Sequence, residues 1–240
     1  MGDKIDFCVP TGNFGDILAG WYAKKMGLPV RKLICASNRN NVLTDFINTG
    51  IYDRNREFYT TISPSMDILI SSNLERLLFM LSDTASVKRW MEDLKAVGRY
   101  DVGAKVLADI QADYGCGYTS DEEAKKCIGD LFRETGYLMD THTADAYGVL
   151  KKMRSSGEVF PTVIVSTASP FKFCDSVLEA LGEDSSQPGA QLIEKLAAVT
   201  GKKAPSPLSG LEGREIRFTE CTPKEKMSDV VMGFLGDLHA

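Results

Sequence analysis

The sequence predicts an α/β fold, a parallel sheet with flanking helices. Three observations predict it. An apolar run at residues 5–9 meets the glycine-flanked pair Asn13-Phe14 and passes at once into a helical pattern. A second run, "VRKLICA" at residues 30–36, completes strand–helix–strand within about thirty residues, the size of a βαβ unit, whose strands lie parallel. Late in the chain "TVIVST", residues 162–167, is β-branched and again leads into a helical pattern.

Taken in order, residues 5–9 read as a buried strand. Ile17, Leu18, Trp21, Tyr22 and Met26 recur at helical spacing, and Gly27 followed by Pro29 stops that helix. After the second strand, residues 40–48 read as a short helix ending at Gly50. "MDILISSNLERLLFML" holds a short apolar run and then a helix that Asn73 is placed to cap. Residues 86–97 are amphipathic and helical, and 101–114 repeat the pattern less regularly. "TSDEEAKKCIGDLFRETG" offers Thr119, Ser120 or Asp121 as a cap, acids in the first turn and Gly136 as a stop. This mostly helical middle, residues 84–136, reads as an insertion or cap. Residues 143–153 form another helix. The strand at 162–167 runs into Ser169-Pro170 and a helix over 171–181. "GEDSSQPGA" is a polar turn, 191–199 are helical, "KKAPSPLSG" is a loop, and 224–238 make a final helix.

At 240 residues the chain can form one large domain or two small ones. Its net charge of −5 argues against a nucleic-acid partner held through phosphate contacts, and no apolar run reaches the length of a membrane span. The six cysteines, Cys8, Cys35, Cys116, Cys127, Cys174 and Cys221, form no C-x-x-C pair and have no histidine cluster beside them, so no zinc or other metal is expected. They read as small buried hydrophobes with reduced thiols, in a cytoplasmic protein.

The glycine loop carries the first chemistry. A strand, a glycine turn and a helix N-terminus in that order make an anion site. The first amides of the helix lack internal partners, the helix dipole adds positive potential, and glycines let backbone approach a phosphate. The loop is neither G-x-G-x-x-G nor a P-loop, which disfavours nucleotide readings. The alternative is a plain turn between strand and helix. Asp16 sets a condition: its carboxylate must point away from a phosphate, for instance as an N-cap, while its amide still donates. For anion binding, a Cβ added at Gly12 or Gly15 is expected to matter more than truncation of Phe14, with a cost of a few kcal/mol if φ is positive there.

"VPTGNFGDILAGWYAKKMGLP" resembles the phosphate-cradling segment of the threonine synthases, pyridoxal 5′-phosphate enzymes of the tryptophan-synthase-β fold type. "SNRNNVLTDFINTGIY", "TISPSMDILISSNLERLLF", "GYLMDTHTADAYGVL" and "VIVSTASPFKF" are similar to further family segments, in family order. The resemblance covers nearly the whole chain. It implies a partial fold-type-II domain, with residues 84–136 as its helical elaboration. It assigns Gly12, Asn13, Phe14, Gly15 and Asp16 to the cofactor 5′-phosphate. It also assigns Thr167, with Ser166 as the neighbouring possibility, to the pyridine nitrogen. The family often has His where Ser169 stands. His142, in "DTHTA" where the family has "DPHTA", reads as a structural residue that fixes a helix start. Asn38, Asn40, Asn73 and Arg76 are explained by caps and surface pairs and stay outside the site.

The family reaction turns O-phospho-L-homoserine and water into L-threonine and phosphate, with the cofactor bound to a lysine as a Schiff base. In this fold type that lysine lies well before the phosphate loop. Here Lys4 is the one lysine before Gly12, without family-like context, and Lys172 sits in a segment where the family does not place its Schiff-base lysine. No catalytic residue is therefore assigned. The chain is expected to be an inactive C-terminal portion whose partner is the missing N-terminal half. The alternatives are a cysteine-synthase-like or threonine-dehydratase-like enzyme of the same fold type, or a non-catalytic phosphate-binding module. "SPSMDI" and "SSNLERLLF" favour threonine synthase.

Overall fold

The computed structural model describes residues 4–155 and 160–237. Its centre is a four-stranded sheet in the order β5-β2-β1-β6. β1 (Ile5–Pro10) pairs in parallel with β2 (Val30–Ser37) and with β6 (Thr162–Ile164), and β2 pairs in parallel with β5 (Tyr114–Tyr118). Side chains on a strand alternate between faces, and this sheet is buried on both. Val9, Leu33 and Cys35 enter one core cluster, while Cys8, Ile34 and Ala36 enter the opposite one.

The first cluster is closed by α1 (Gly15–Lys25), α2 (Val42–Thr49), α3 (Leu74–Leu81), α4 (Thr84–Val97) and α5 (Gly103–Asp113), through residues such as Ile17, Phe46, Leu77, Trp90 and Ile110. α7 (Thr141–Ser155) covers the other face with Ala146, Val149 and Leu150. A third cluster joins α6 (Asp121–Thr135) to α8 (Cys174–Ala180) and α9 (Gly189–Thr200) through Ile128, Val177 and Leu196. Ser120 caps α6 with a capping box to Glu123, and Gly136 ends it in the left-handed conformation.

Two expectations are corrected by the structure, and two further features carry no signal in the sequence. The strand at 162–167 keeps only Thr162–Ile164 in the ladder. The helix at 171–181 divides into a 3-10 turn at Pro170–Lys172 and α8. The middle of the chain is mostly helical, as read, but it also holds β5, which forms an edge of the central sheet. Its sequence, "YGCGY", hides the strand, since glycine weakens the usual signal. Gly117 is there for close packing: an added Cβ would lie 2.9 Å from Val149 Cγ1 on α7. Finally, β3 (Ile51–Asp53) and β4 (Arg99–Asp101) form a two-stranded antiparallel ribbon, too short for any sequence period.

Residues 210–240 separate as a second compact unit. Its described part holds 3-10 turns at Leu211–Gly213 and Lys224–Lys226 and the helix α10 (Met227–Asp237). Leu238, the expected end of that helix, lies outside the described residues. The cysteines are unbridged, with Cys8, Cys35, Cys127 and Cys174 buried, Cys116 half-buried and Cys221 exposed. Among the described residues no helix is long and apolar enough to cross a membrane.

Candidate functional site

β1 and β6 are parallel neighbours, so the segments that follow them emerge at the same end of the sheet. In open parallel sheets that end is where ligands bind. The segment after β1 is the glycine loop. It borders a concavity of about 270 Å³ lined by residues 10–17 and Asn73.

Phe14 is the N-cap of α1 and adopts φ 63°, ψ 7°, the left-handed region. It is the one non-glycine residue with positive φ among the described residues. A left-handed residue followed by right-handed ones turns successive N–H groups toward one concave side, an anion nest. No amide from residues 12–17 donates a hydrogen bond among the described residues; the first donor of the helix is Leu18, to Phe14 O at 3.2 Å. The loop therefore presents a row of unpartnered donors at the positive end of a helix.

The glycine expectation changes in its reason. Gly12 and Gly15 do not have positive φ. Gly12 is needed for close approach, because a Cβ there would lie 2.8 Å from Ser65 O. At Gly15 the nearest atom to such a Cβ is Asn73 Nδ2, at 3.3 Å. The strained residue is Phe14, and its ring explains how the strain is held. The ring is 1% exposed and lies 5.5 Å from the Tyr114 ring, centroid to centroid. Asp16 is not the N-cap. It sits exposed in the first turn of α1, where a carboxylate also suits the helix dipole.

After β6, Ser166 and Thr167 are both exposed. Ser166 Oγ lies 3.3 Å from Thr143 Oγ1. The cap of the following 3-10 turn is Ser169, whose Oγ accepts from the Phe171 amide, so Thr167 does not serve as that cap. Among the described residues the Thr167 hydroxyl makes no hydrogen bond, which leaves it free for a ligand.

His142, read from its segment as a structural residue that fixes a helix start, is engaged at both ring nitrogens. It is 3% exposed at the start of α7. Its Nδ1 lies 3.1 Å from Asp140 Oδ1, and its Nε2 accepts the Ser65 amide at 3.2 Å, so the proton sits on Nδ1. Burial alone would raise the Asp140 carboxyl, but hydrogen bonds from His142 and Thr143 hold it below the usual carboxylate range. Through Ser65 this pair braces the turn that lies against Gly12.

Asn38 and Asn40 are buried rather than on the surface. Their amides donate to Asp67 Oδ1 at 2.8 and 2.9 Å, fixing the turn just after Ser65. Asn73, expected as a helix cap, makes no side-chain cap bond on α3. Its Nδ2 donates instead to Asn13 O at 2.7 Å, inside the glycine loop. Ser71 Oγ donates to Gly12 O at 2.8 Å. Sequence reasoning missed both contacts; their one signal was the family-like segment "SSNLERLLF". Lys4 is exposed and precedes β1, and Lys172 is exposed on its 3-10 turn, with its Nζ 6.0 Å from the Phe173 ring.

A family model described as "Threonine synthase, C-terminal" matches residues 143–231. Human threonine synthase-like 1 is 42% identical over 184 residues, which cover 75% of this chain and 24% of that protein. Threonine synthase of Saccharomyces cerevisiae is 37% identical over 195 residues, covering 74% and 38%. The crystal structure of threonine synthase from yeast superimposes with a TM-score of 0.84 at 32% identity, over 98% of this chain and 48% of that one. The pyridoxal-phosphate-bound threonine synthase from Brucella melitensis gives a TM-score of 0.71 at 39% identity, over 80% and 41%. The chain thus spans less than half the length of each of these relatives. In its motifs and in its fold it corresponds to the C-terminal portion of the threonine synthases, a fold-type-II pyridoxal-phosphate family.

Proposed function

We propose that this chain is the phosphate-holding C-terminal portion of a threonine synthase, the enzyme that converts O-phospho-L-homoserine and water to L-threonine and phosphate. The observation that carries the proposal is the row of unpartnered amides at residues 12–17, curved by Phe14 at the start of α1. Pyridoxal 5′-phosphate fits this loop by its chemistry. Its dianionic phosphate meets backbone donors and a helix N-terminus, and Gly12 leaves no side chain in the way.

The residues that would hold the cofactor are Gly12, Asn13, Phe14, Gly15 and Asp16 at the phosphate and Thr167 at the ring nitrogen. When bound, the cofactor supplies an electron sink at its ring. Thr167 presents a neutral hydroxyl, which does not stabilise a protonated ring nitrogen as a carboxylate would. It therefore sets the sink to be a weak one. The Asp16 amide donates while its carboxylate stays in solvent. The lysine that bonds the cofactor and moves protons is assigned to an N-terminal portion, so this chain alone is inactive.

The test is direct. The chain is titrated with pyridoxal phosphate and with pyridoxal, which lacks the phosphate. It should bind the first and fail to bind the second measurably. Thr167→Val should weaken pyridoxal phosphate binding several-fold, since one hydrogen bond is worth roughly 1 kcal/mol. Borohydride reduction should label no single lysine stoichiometrically, and no phosphate should be released from O-phospho-L-homoserine. Equal binding of the two compounds would refute the cradle. One fully labelled lysine with turnover would refute the inactive-portion reading.

A further inference from the structure

We propose that Ser71 and Asn73 are positioning residues that hold the glycine loop in its anion-binding orientation, with Arg76 setting the amide of Asn73. The inference rests on the reading of the loop as a phosphate cradle. A cradle works only if its peptide units face the ligand with N–H and turn C=O away; one inverted unit would put a negative dipole against the anion. In a trans peptide the C=O of one residue and the N–H of the next point in opposite directions. Fixing the Gly12 carbonyl therefore aims the Asn13 amide, and fixing the Asn13 carbonyl aims the Phe14 amide.

Both carbonyls are fixed from outside the loop. Ser71 Oγ donates to Gly12 O at 2.8 Å. Asn73 donates twice to Asn13 O, from Nδ2 at 2.7 Å and from its backbone amide at 3.2 Å. Neither donor is free to drift. Ser71 is 6% exposed, and its amide is held at 2.7 Å by the hydroxyl of Tyr52, which itself donates to Leu69 O at 3.1 Å. The Arg76 guanidinium hydrogen-bonds Asn73 Oδ1. An oxygen engaged by a cation leaves only Nδ2 to face the Asn13 carbonyl, so Arg76 decides which end of the amide meets the loop. Asn73 occupies the N-cap position of α3, yet its side chain makes no cap bond there.

The test uses this chain, with inorganic phosphate and pyridoxal phosphate as probes. It reads dissociation constants by calorimetry and the 15N–1H signals of residues 12–17. Wild type should bind phosphate and shift those signals. Asn73→Asp keeps the shape but replaces the Nδ2 donor with an anionic acceptor, and should weaken phosphate binding at least tenfold while moving the Phe14 amide signal before any ligand is added. Ser71→Ala should weaken binding about three- to tenfold, and Ser71→Thr, which keeps the hydroxyl, should restore it. A purely structural role would lower the melting temperature without this split between alanine and threonine. If Asn73→Asp and Ser71→Ala bind like wild type with unshifted amides, positioning is overturned while the cradle stands. If wild type itself shifts none of these amides, the cradle reading fails and positioning with it. Should Asn73→Asp not fold, the Ser71 pair decides.

Discussion

Phe14 joins a strained backbone to a buried ring. A left-handed φ costs an ordinary residue about 1 kcal/mol or more, and glycine would avoid the cost. A phenylalanine persists because its ring locks the loop into the core beside Tyr114. Phe14→Ala should therefore destabilise the chain by about 3 kcal/mol, through loss of a buried aromatic. Gly12→Ala should cost about 1–3 kcal/mol, since the backbone oxygen of Ser65 must move, and Gly15→Ala should cost less than about 1 kcal/mol. Urea unfolding of the three variants measures the order.

Asp145 poses a different problem. Both its carboxylate oxygens are buried without a hydrogen-bond partner among the described residues. Burial, with the like charges of Asp121, Asp140 and Asp67, pushes its carboxyl well above the ordinary value of 3.8, against an opposing pull from Ser63. In the fold the group stays protonated at a pH where the unfolded chain has lost that proton. Its contribution to stability is full below the unfolded value and is lost as pH rises toward the folded one. Asp145→Asn should raise the melting temperature more at pH 8 than at pH 5. An equal effect at both values would show that Asp145 does not titrate across that range.

At the scale of elements, α1 matters most, because its N-terminus carries the row of unpartnered amides. Its outer half is tied to the end of α5. Trp21 Nε1 donates to Asp113 Oδ2 at 2.9 Å, and Lys24 and Lys25 each lie 2.8 Å from the same carboxylate. Burial would raise Asp113, but hydrogen bonds from Lys24, Lys25 and Trp21 win and hold it below its usual value. That contribution is present above the unfolded value and is lost as pH falls through the folded one. Asp113→Ala should cost about 2 kcal/mol at neutral pH, because it strands a buried indole N–H as well as removing the charge. The difference from wild type should shrink on acidification, and denaturant midpoints at pH 7 and pH 3 test both halves.

At the scale of the molecule, the three core clusters and the hydrophobic residues packed on them all lie between Phe7 and Leu208. A chain ended at Ser209 should therefore melt within a few degrees of the full chain. A large loss of cooperativity in the truncated protein would show that residues 210–240 carry part of the core. Within the first unit the Asp140–His142 pair reaches across to Ser65, whose carbonyl bears on Gly12, so the start of α7 and the glycine loop are braced together.

The sequence by itself determined what depends on neighbours along the chain. The strand–glycine–helix order, the βαβ unit, the start of α6 among Thr119, Ser120 and Asp121, and the stops at Gly50 and Gly136 all follow from local periodicity and capping chemistry. The family segments singled out Gly12 to Asp16 and Thr167, which follow β1 and β6, parallel neighbours in the sheet. Tertiary structure decided the rest. β5 was invisible because its glycines serve the packing of α7, not the strand. Phe14, rather than a glycine, took the left-handed turn because a core 100 residues further on, at Tyr114, receives its ring. Asn73 became a hand on the loop instead of a cap because its partner, Asn13, lies 60 residues away in sequence. Periodicity encodes which face of an element is apolar; it carries no record of which distant carbonyl a polar side chain meets once those faces are packed.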